Sequence, residues 1–229
     1  MRCIEDLNDQ FWIDALTCKE QADEIIRLFF SHKLEEDFLN QLPLMVLTKN
    51  QLFEIVLKVL AKTDCAEIIR LRKENFVPFQ IDKSDICQFS DFDDCYFKCI
   101  SIILDSGLQC VSWEKLGFML RDKPRKQGAD LKYGENHGKT AAQLGLLSMN
   151  SKREFLPSRL GLKFYALGKK QKEELMPKLC LYIPIIQNFF VLGQDENVLD
   201  GYFAILSEST QKRRRPNIKR LISIVSSCL

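Results

Sequence analysis

The segment from residue 134 to residue 161 constrains the fold more than any other part of the chain: GENHGKTAAQLGLLSMNSKREFLPSRLG. Its first half places glycines and alanines among polar side chains, which predicts a helix that packs closely on its own domain. Its second half predicts two short strands around Asn150 and Ser151, with Lys152 and Arg153 near the tip. A close-packed helix followed by a basic hairpin is typical of a helix whose polar face enters a DNA groove.

The residues before and after this segment complete a recognisable order. A helix is predicted from Asp94 to a stop at Gly107, and Ser112 can cap a second helix. The third helix is predicted from about Asp130 to Gly145, and another begins near Pro157. Three helices and a hairpin form the order of a winged helix-turn-helix domain.

The first 80 or so residues are predicted to be mostly helical. Thr48 has the position of a helix N-cap, and another helix is predicted over Asp64 to Lys73. The segment FVPFQI (76–81) fits an edge strand or a packed linker. The acidic stretch at 82–94 is the candidate boundary between a helical domain at 1–90 and a winged-helix domain at 91–229 with extra C-terminal helices. The predicted class is therefore mainly α, with a small β-hairpin wing.

Charge is divided unevenly along the chain. Residues 1–100 hold 12 basic and 19 acidic side chains, and residues 101–229 hold 21 basic and 12 acidic ones. The basic half suggests a polyanionic partner, and the acidic half suggests a catalytic or protein partner. Two solvated faces of a single domain would give the same division.

The third helix supplies the candidate reading face. With Leu131 placed inward at 100° per residue, Gly134, Glu135, Gly138, Ala142 and Gly145 share the packing side. The polar residues fall opposite or on the flanks, where they can reach base edges in the major groove. These predicted DNA-reading residues are Lys132, Tyr133, Asn136, His137, Lys139, Thr140 and Gln143.

Basic residues around this helix are predicted to hold the DNA backbone. Arg125 and Lys126 lie in the turn before the helix, and Lys152 and Arg153 lie in the presumed wing. Lysine and arginine contacts to phosphates supply affinity that depends on salt, without choosing a sequence.

The C-terminal half also resembles a known family in three stretches: KTAAQLGLLSMNSKREFLPSRLG (139–161), LMPKLCLYIPIIQNFFVL (175–192) and LSESTQKRRRPNIKRLISIV (206–225). The middle stretch has Pro184 ahead of Phe189 and Phe190, and the last has Ser209, Thr210, Arg213 and Arg214 in a turn that leads into a closing helix. These signatures resemble the bacterial winged-helix modules that accompany type II restriction endonucleases and occur in related stand-alone proteins. The resemblance spans roughly residues 94–225 and implies sequence-specific DNA binding, with Arg213 or Arg214 on a phosphate or an acidic partner.

The sequence favours no catalytic or metal site and implies no cofactor. Asp130-Leu131-Lys132 has the short spacing of a nuclease motif, but it opens a predicted helix rather than a strand. Cys95 and Cys99 lie one helical turn apart and are assigned to the core rather than to a metal. The chain is therefore predicted not to be catalytic on its own.

The location follows from what the sequence lacks. No apolar run has the length of a membrane span, the acidic N-terminus has no apolar signal core, and nine cysteines are typical of free thiols in a reducing compartment. A cytoplasmic protein without membrane contact is the expectation.

Three functions stay open at this point. The preferred hypothesis is double-stranded DNA recognition, as the specificity part of a restriction system or as a stand-alone regulator. A protein-interaction scaffold built on a winged helix would instead have its lysines paired with Asp122, Asp130 and Glu135. A complete nuclease would need acidic or amide groups and a lysine around one metal.

Overall fold

The computed structural model describes residues 7–33, 35–40, 47–74, 76–121 and 128–229. Over these residues the protein is mainly helical with one small antiparallel sheet, which confirms that the class is mainly α. In chain order the helices and strands are α1 (Asp9–Asp14), α2 (Lys19–Phe29), α3 (Glu35–Asn40), α4 (Lys49–Lys62), α5 (Cys65–Lys73), a π-helical turn (Asp94–Lys98), α6 (Cys99–Asp105), α7 (Trp113–Leu120), α8 (Ala129–Gln143), β1 (Leu147–Met149), β2 (Phe155–Pro157), α9 (Arg159–Tyr165), α10 (Lys169–Tyr182), α11 (Pro184–Val191), α12 (Glu196–Phe203) and α13 (Glu208–Ser226).

Local capping signals set where several helices begin. The Thr48 hydroxyl accepts a hydrogen bond from the backbone N–H of Gln51, whose side chain accepts one from the Thr48 N–H in return. Asp64 caps α5 and Ser112 caps α7 in the same manner with their side-chain oxygens. Each cap satisfies N–H groups that a helix leaves without an internal partner. The predicted starts of these helices are confirmed.

The hairpin is stabilised by hydrogen bonds within its turn and by a backbone contact between β2 and Val111. Leu147 pairs with Pro157 and Met149 with Phe155, and the Asn150 side chain accepts from the backbone N–H groups of Lys152 and Glu154 within the turn. On the other side of β2, the backbone of Val111 exchanges two hydrogen bonds with Phe155, at 2.8 and 2.9 Å. The chain between α6 and α7 thus extends the two-stranded sheet by one residue.

Nearly all of the described buried apolar residues form one contiguous cluster, which runs from Leu7 to Val225. In the N-terminal part, α4 and α5 pack against α9, α10 and α11. The ring of Phe29 stacks on Tyr182 with centroids 4.6 Å apart. The predicted boundary stretch contributes buried Ile86, Phe89 and Phe92 to the cluster. The division into domains at residue 90 stays a prediction, and the residues on its two sides share a core.

The segment predicted as an edge strand or a packed linker contains no strand at residues 76–81. Its backbone is instead held by one side chain of α11. The Phe79 N–H donates to Asn188 Oδ1 at 3.0 Å, and Asn188 Nδ2 donates to the Phe79 carbonyl at 2.8 Å. The buried amide therefore pairs with the linker as a neighbouring strand would.

None of the described helices combines the length and the apolar composition that a membrane crossing needs.

Candidate nucleic-acid interface

Helices α7 and α8 approach each other backbone to backbone. A Cβ atom on Gly134 would lie 1.8 Å from the Trp113 carbonyl oxygen, and one on Gly117 would lie 1.8 Å from the Asp130 carbonyl oxygen. Farther along α8, a Cβ atom on Gly138 would lie 2.1 Å from the ring of Phe155. The predicted role of Gly134 and Gly138 in close packing is confirmed. Gly117 is the partner that the sequence did not reveal.

This contact fixes the rotation of α8, and the rotation differs from the predicted one. Leu131, predicted to point inward, is 40% exposed, whereas His137 and Thr140 are each 1% exposed. The prediction took a leucine as the marker of the inner face, but the glycine contacts set it instead, because only they allow the two backbones to meet. His137 and Thr140 are therefore not on an outer face or flank.

Three of the predicted reading residues make internal contacts. The Tyr133 hydroxyl donates to Asp94 Oδ2 at 2.5 Å, and its ring stacks on His137 with centroids 3.8 Å apart. The Thr140 hydroxyl donates to the Asn136 carbonyl at 3.1 Å. Tyr133 thus holds α8 on the chain that precedes α6, whereas the Thr140 hydroxyl bonds within α8.

His137 joins α8 to residues 90 and 91 as a neutral ring. Its Nδ1 lies 2.8 Å from the Tyr133 carbonyl, so Nδ1 carries the proton and donates. Its Nε2 then accepts from the backbone N–H groups of Ser90 and Asp91, each at 3.3 Å. Burial lowers the pKa of His137, and this outweighs the opposing effects of the Tyr133 carbonyl, Asp94 and Asp91.

The free energy of unfolding should therefore fall as the pH drops below about 6.5, the ordinary pKa of histidine. In that range the unfolded chain binds a proton that folded His137 resists, so the loss is at most about 1.4 kcal/mol per pH unit. Urea denaturation at pH 7.5, 6.5 and 5.5 measures it. His137→Gln should be less stable at pH 7.5, and its deficit should shrink as the pH falls. The carboxylates titrate in both proteins, so a deficit that stays constant with pH would contradict the neutral, buried ring.

A polar stripe runs along α8: Lys132 is exposed, and Asn136, Lys139 and Gln143 are half-buried. Lys132 and Lys139 both donate to Glu135, at 2.5 and 2.7 Å. Burial raises the pKa of Glu135, but the two lysine hydrogen bonds outweigh it and hold the pKa below its ordinary value. Two cations therefore share one carboxylate, and the stripe keeps a positive charge.

Residues 82–91, here called the strap, lie along one side of the stripe. Gln143 Nε2 donates to the Ser84 carbonyl at 2.8 Å, and the Cys87 thiol donates to Gln143 Oε1 at 2.6 Å. Gln143, predicted to read a base, thus has both ends of its amide engaged. The apolar residues of the strap, Ile86 and Phe89, are buried beside it.

Arg214 of α13 holds the strap from the opposite side. Its Nη1 donates to the carbonyls of Lys83 and Ile86 at 2.5 and 2.8 Å, and its Nε donates to Gln88 Oε1 at 3.3 Å. Burial lowers the pKa of Arg214. The neighbouring Arg213 is exposed and donates to the Ser209 carbonyl and to the Thr210 hydroxyl, each at 3.3 Å.

A cavity of about 350 Å³, here called the α8–α13 cavity, opens between the stripe, the strap and the start of α13. Four cations line it, and Glu135 is the one carboxylate among its described lining residues. The structure thus joins two parts of the predicted site that are about 70 residues apart in sequence. The lining residues are Ser84, Ile86, Cys87, Gln88, Lys132, Glu135, Asn136, Lys139, Thr140, Gln143, Thr210, Arg213 and Arg214.

The remaining predicted phosphate contacts lie elsewhere or are not described. Lys152 and Arg153 are exposed at the hairpin tip and form no ion pair with any described residue. Neither of them lines the α8–α13 cavity. Arg125 and Lys126 lie outside the described residues.

The residues considered for metal binding and catalysis are dispersed. Within the described ranges, no three His, Cys, Asp or Glu side chains come together in a way that could hold a metal ion. Asp130 lies in the first turn of α8, as predicted, and pairs with Arg121 at 2.9 Å. Cys95 and Cys99 are fully buried, which confirms their assignment to the core, and burial raises the pKa of both thiols.

Comparisons with protein-family models, with curated proteins and with solved structures found no match to this chain.

Proposed function

We propose that the protein binds double-stranded DNA in a sequence-dependent manner through the polar stripe of α8. The observation that carries the proposal is the placement of Lys132, Asn136 and Lys139 in one row on a helix anchored to α7 through backbone contacts. A reading helix must hold its side chains in a fixed position, and rigid packing through Gly134 supplies that. An amide flanked by lysines has the chemistry to reach a base edge and the adjoining phosphates.

The path of the chain supports a winged helix-turn-helix as the scaffold of this site. Helices α6, α7 and α8 precede the β1–β2 hairpin, and Val111 between α6 and α7 pairs with β2. In such a domain the third helix enters the major groove, and the hairpin lies beside the phosphate backbone.

The internal contacts narrow the roles of the predicted residues. Asn136, which makes no side-chain hydrogen bond to the described residues, is the base-reading candidate. Lys132, Lys139 and Arg213 are the phosphate contacts beside it, together with the hairpin residues Lys152 and Arg153. Arg125 and Lys126 remain proposed contacts from the turn before α8. The half-buried Tyr133 and the buried His137 and Thr140 position the helix instead.

The proposed biological setting is a restriction-type system or a stand-alone regulator. The signatures in the C-terminal half support it, since they resemble winged-helix modules of such systems. In a restriction system a separate catalytic partner would cut the DNA, and the acidic N-terminal half is its proposed docking region.

One observation favours a protein-interaction scaffold as the second candidate. Lys132 and Lys139 are both paired with Glu135, and that pairing is what a scaffold predicts for these lysines. These two ion pairs do not neutralise the surface, because Arg213 and Arg214 of α13 add positive charge beside them. A binding experiment decides between the two candidates.

Selection from a random duplex library at low and high salt, with Mg²⁺ present, tests the proposal. We expect one enriched motif. Asn136→Ala should relax the preference at one base position by about 1–3 kcal/mol, since an amide–base pair supplies that discrimination. Lys139→Ala should weaken all duplexes alike and lower the salt slope by about one charge. Lys170→Ala, at an exposed position on α10, is the control and should change neither.

Other outcomes point to the other candidates. No duplex binding at low salt would contradict the proposal and leave the scaffold. Salt-sensitive binding without a motif would reduce the site to a phosphate clamp. Cleaved duplex in the selection tubes would indicate a complete nuclease.

A further inference from the structure

We propose that the α8–α13 cavity binds a small phosphorylated molecule of about mononucleotide size, and that this ligand controls access to the stripe of α8. The binding step stands on the cavity alone. The proposed control of DNA access rests on the proposed DNA-binding function, because both the DNA and the small ligand would contact Lys132, Asn136 and Lys139.

The charge of the cavity favours a compact anion. Lys132 and Lys139 come from the α8 wall, and Arg213 and Arg214 come from the α13 wall. Glu135 also belongs to the α8 wall, where it pairs with both lysines. Cations that converge from two sides can surround a phosphate, which has oxygens to accept from each of them. With four cations and one carboxylate, the described lining carries an excess of positive charge that a bound dianion would offset in large part.

Arg214 gives the strongest support. It is half-buried, and its three hydrogen bonds to described residues all go to neutral oxygens: two strap carbonyls and the amide of Gln88. No described carboxylate forms an ion pair with it. A cation removed from water gains from a counter-ion, and an anion in the cavity would supply one.

The volume of the cavity and its neutral polar side chains suit the sugar and the base of a nucleotide. A volume of about 350 Å³ lies within the range of small-molecule sites. Asn136, Gln88 and Thr210 line the same space and offer amide and hydroxyl groups to a sugar or base. A phosphate with a modest organic group matches both features.

The ligand would act on the stripe directly. A phosphate between Lys139 and Arg213 would engage the cations that are proposed to contact DNA. It would also tie α13 to α8 across the mouth of the cavity. A bound small phosphate and a bound duplex should therefore exclude each other.

Titration calorimetry at low salt with adenosine 5′-monophosphate, inorganic phosphate and adenosine tests the binding step. We expect one site for the two phosphate-bearing probes and binding at least about tenfold weaker for adenosine, because adenosine lacks the phosphate that makes the charge-assisted contacts. Lys139→Gln and Arg213→Gln should each weaken the nucleotide about tenfold. Lys219→Gln removes the same charge from an exposed position of α13 that does not line the cavity, and it should bind as the wild type does.

A second arm separates this inference from the proposed function. The same variants are titrated with the duplex that selection enriches, with and without the nucleotide. Duplex binding with no binding of either phosphate probe would overturn the cavity proposal and leave DNA recognition standing. Nucleotide binding without duplex binding would keep the cavity site and remove its control of DNA. Equal weakening by Lys219→Gln would overturn the site, since it would show diffuse charge attraction.

Discussion

Gly134→Ala should lower the free energy of unfolding by about 3 kcal/mol, at the upper end of what overpacking costs. The added methyl group would lie 1.8 Å from the carbonyl oxygen of Trp113 and 2.6 Å from the backbone nitrogen of Gly117. Both are backbone atoms of α7, so no side chain can rotate away and the two helices must separate. The better helix propensity of alanine offsets only about 1 kcal/mol of this cost.

Gly201→Ala is the matched control. Gly201 also lies within a helix, α12, and a Cβ atom there would meet nothing within 4 Å. The same substitution should therefore be neutral or stabilising by up to about 1 kcal/mol. Urea denaturation of both variants at 25 °C gives the comparison. Equal stabilities would mean that α7 and α8 do not meet as closely as the structure has them.

The order of the helices was predictable because the signals for it are local. A cap such as Thr48 or Ser112 acts within its own first turn, so the sequence contains both partners of the contact. The same holds for the hairpin, since its turn depends on Asn150 and the four residues after it. Such elements can be found without knowing what they pack against.

The rotation of α8 was not predictable in that way. The helix is poor in large apolar residues, so hydrophobic periodicity cannot mark its inner face, and Leu131 misled the assignment. What sets the rotation is the meeting of Gly134 with Trp113 and Gly117, which lie on another helix. A glycine shows that close approach is allowed without showing which backbone approaches.

The composition of the cavity was predictable only in part. Charge and family resemblance selected Lys132, Lys139, Arg213 and Arg214, and all four lie in its lining. The sequence analysis did not predict that the strap lines the cavity, because an acidic stretch of this kind is typical of an exposed domain boundary. Its contacts with Arg214 and Gln143 join residues more than 50 positions apart, so no local pattern reports them.

The uneven charge of the chain has a partial explanation in the structure. In the N-terminal half, Glu67 and Glu74 are engaged by Arg27 and Arg70 at 2.7–2.8 Å. Hydrogen bonding from Arg70 lowers the pKa of Glu67 to about 2. Part of the acidic character therefore serves ion pairs along α5 and one ion pair that joins the C-terminal end of α5 to α2. The carboxylates that face solvent remain available to the proposed protein partner.

Phe155→Ala should lower the free energy of unfolding by about 3–5 kcal/mol, the usual cost of removing a buried ring. Phe155 is fully buried, and its ring lies directly over Gly138 of α8 and beside Trp113 of α7. It thereby links the hairpin to the proposed reading helix. Phe118→Ala on α7 is the control: that ring is 57% exposed, and the change should stay within about 0.5 kcal/mol.

A double-mutant cycle with Gly138→Ala identifies the contact itself. Alone, Gly138→Ala should be destabilising, because its methyl group would lie 2.1 Å from the Phe155 ring. In the Phe155→Ala background the ring is gone, so the same methyl group should cost far less or stabilise the helix. We expect a favourable coupling of about 1–3 kcal/mol, measured from the urea unfolding of the four proteins. Additive effects would mean that the Phe155 ring does not contact Gly138. The hairpin would then not be fixed to α8 by this contact, and simultaneous binding of DNA by α8 and the hairpin would lose its structural basis.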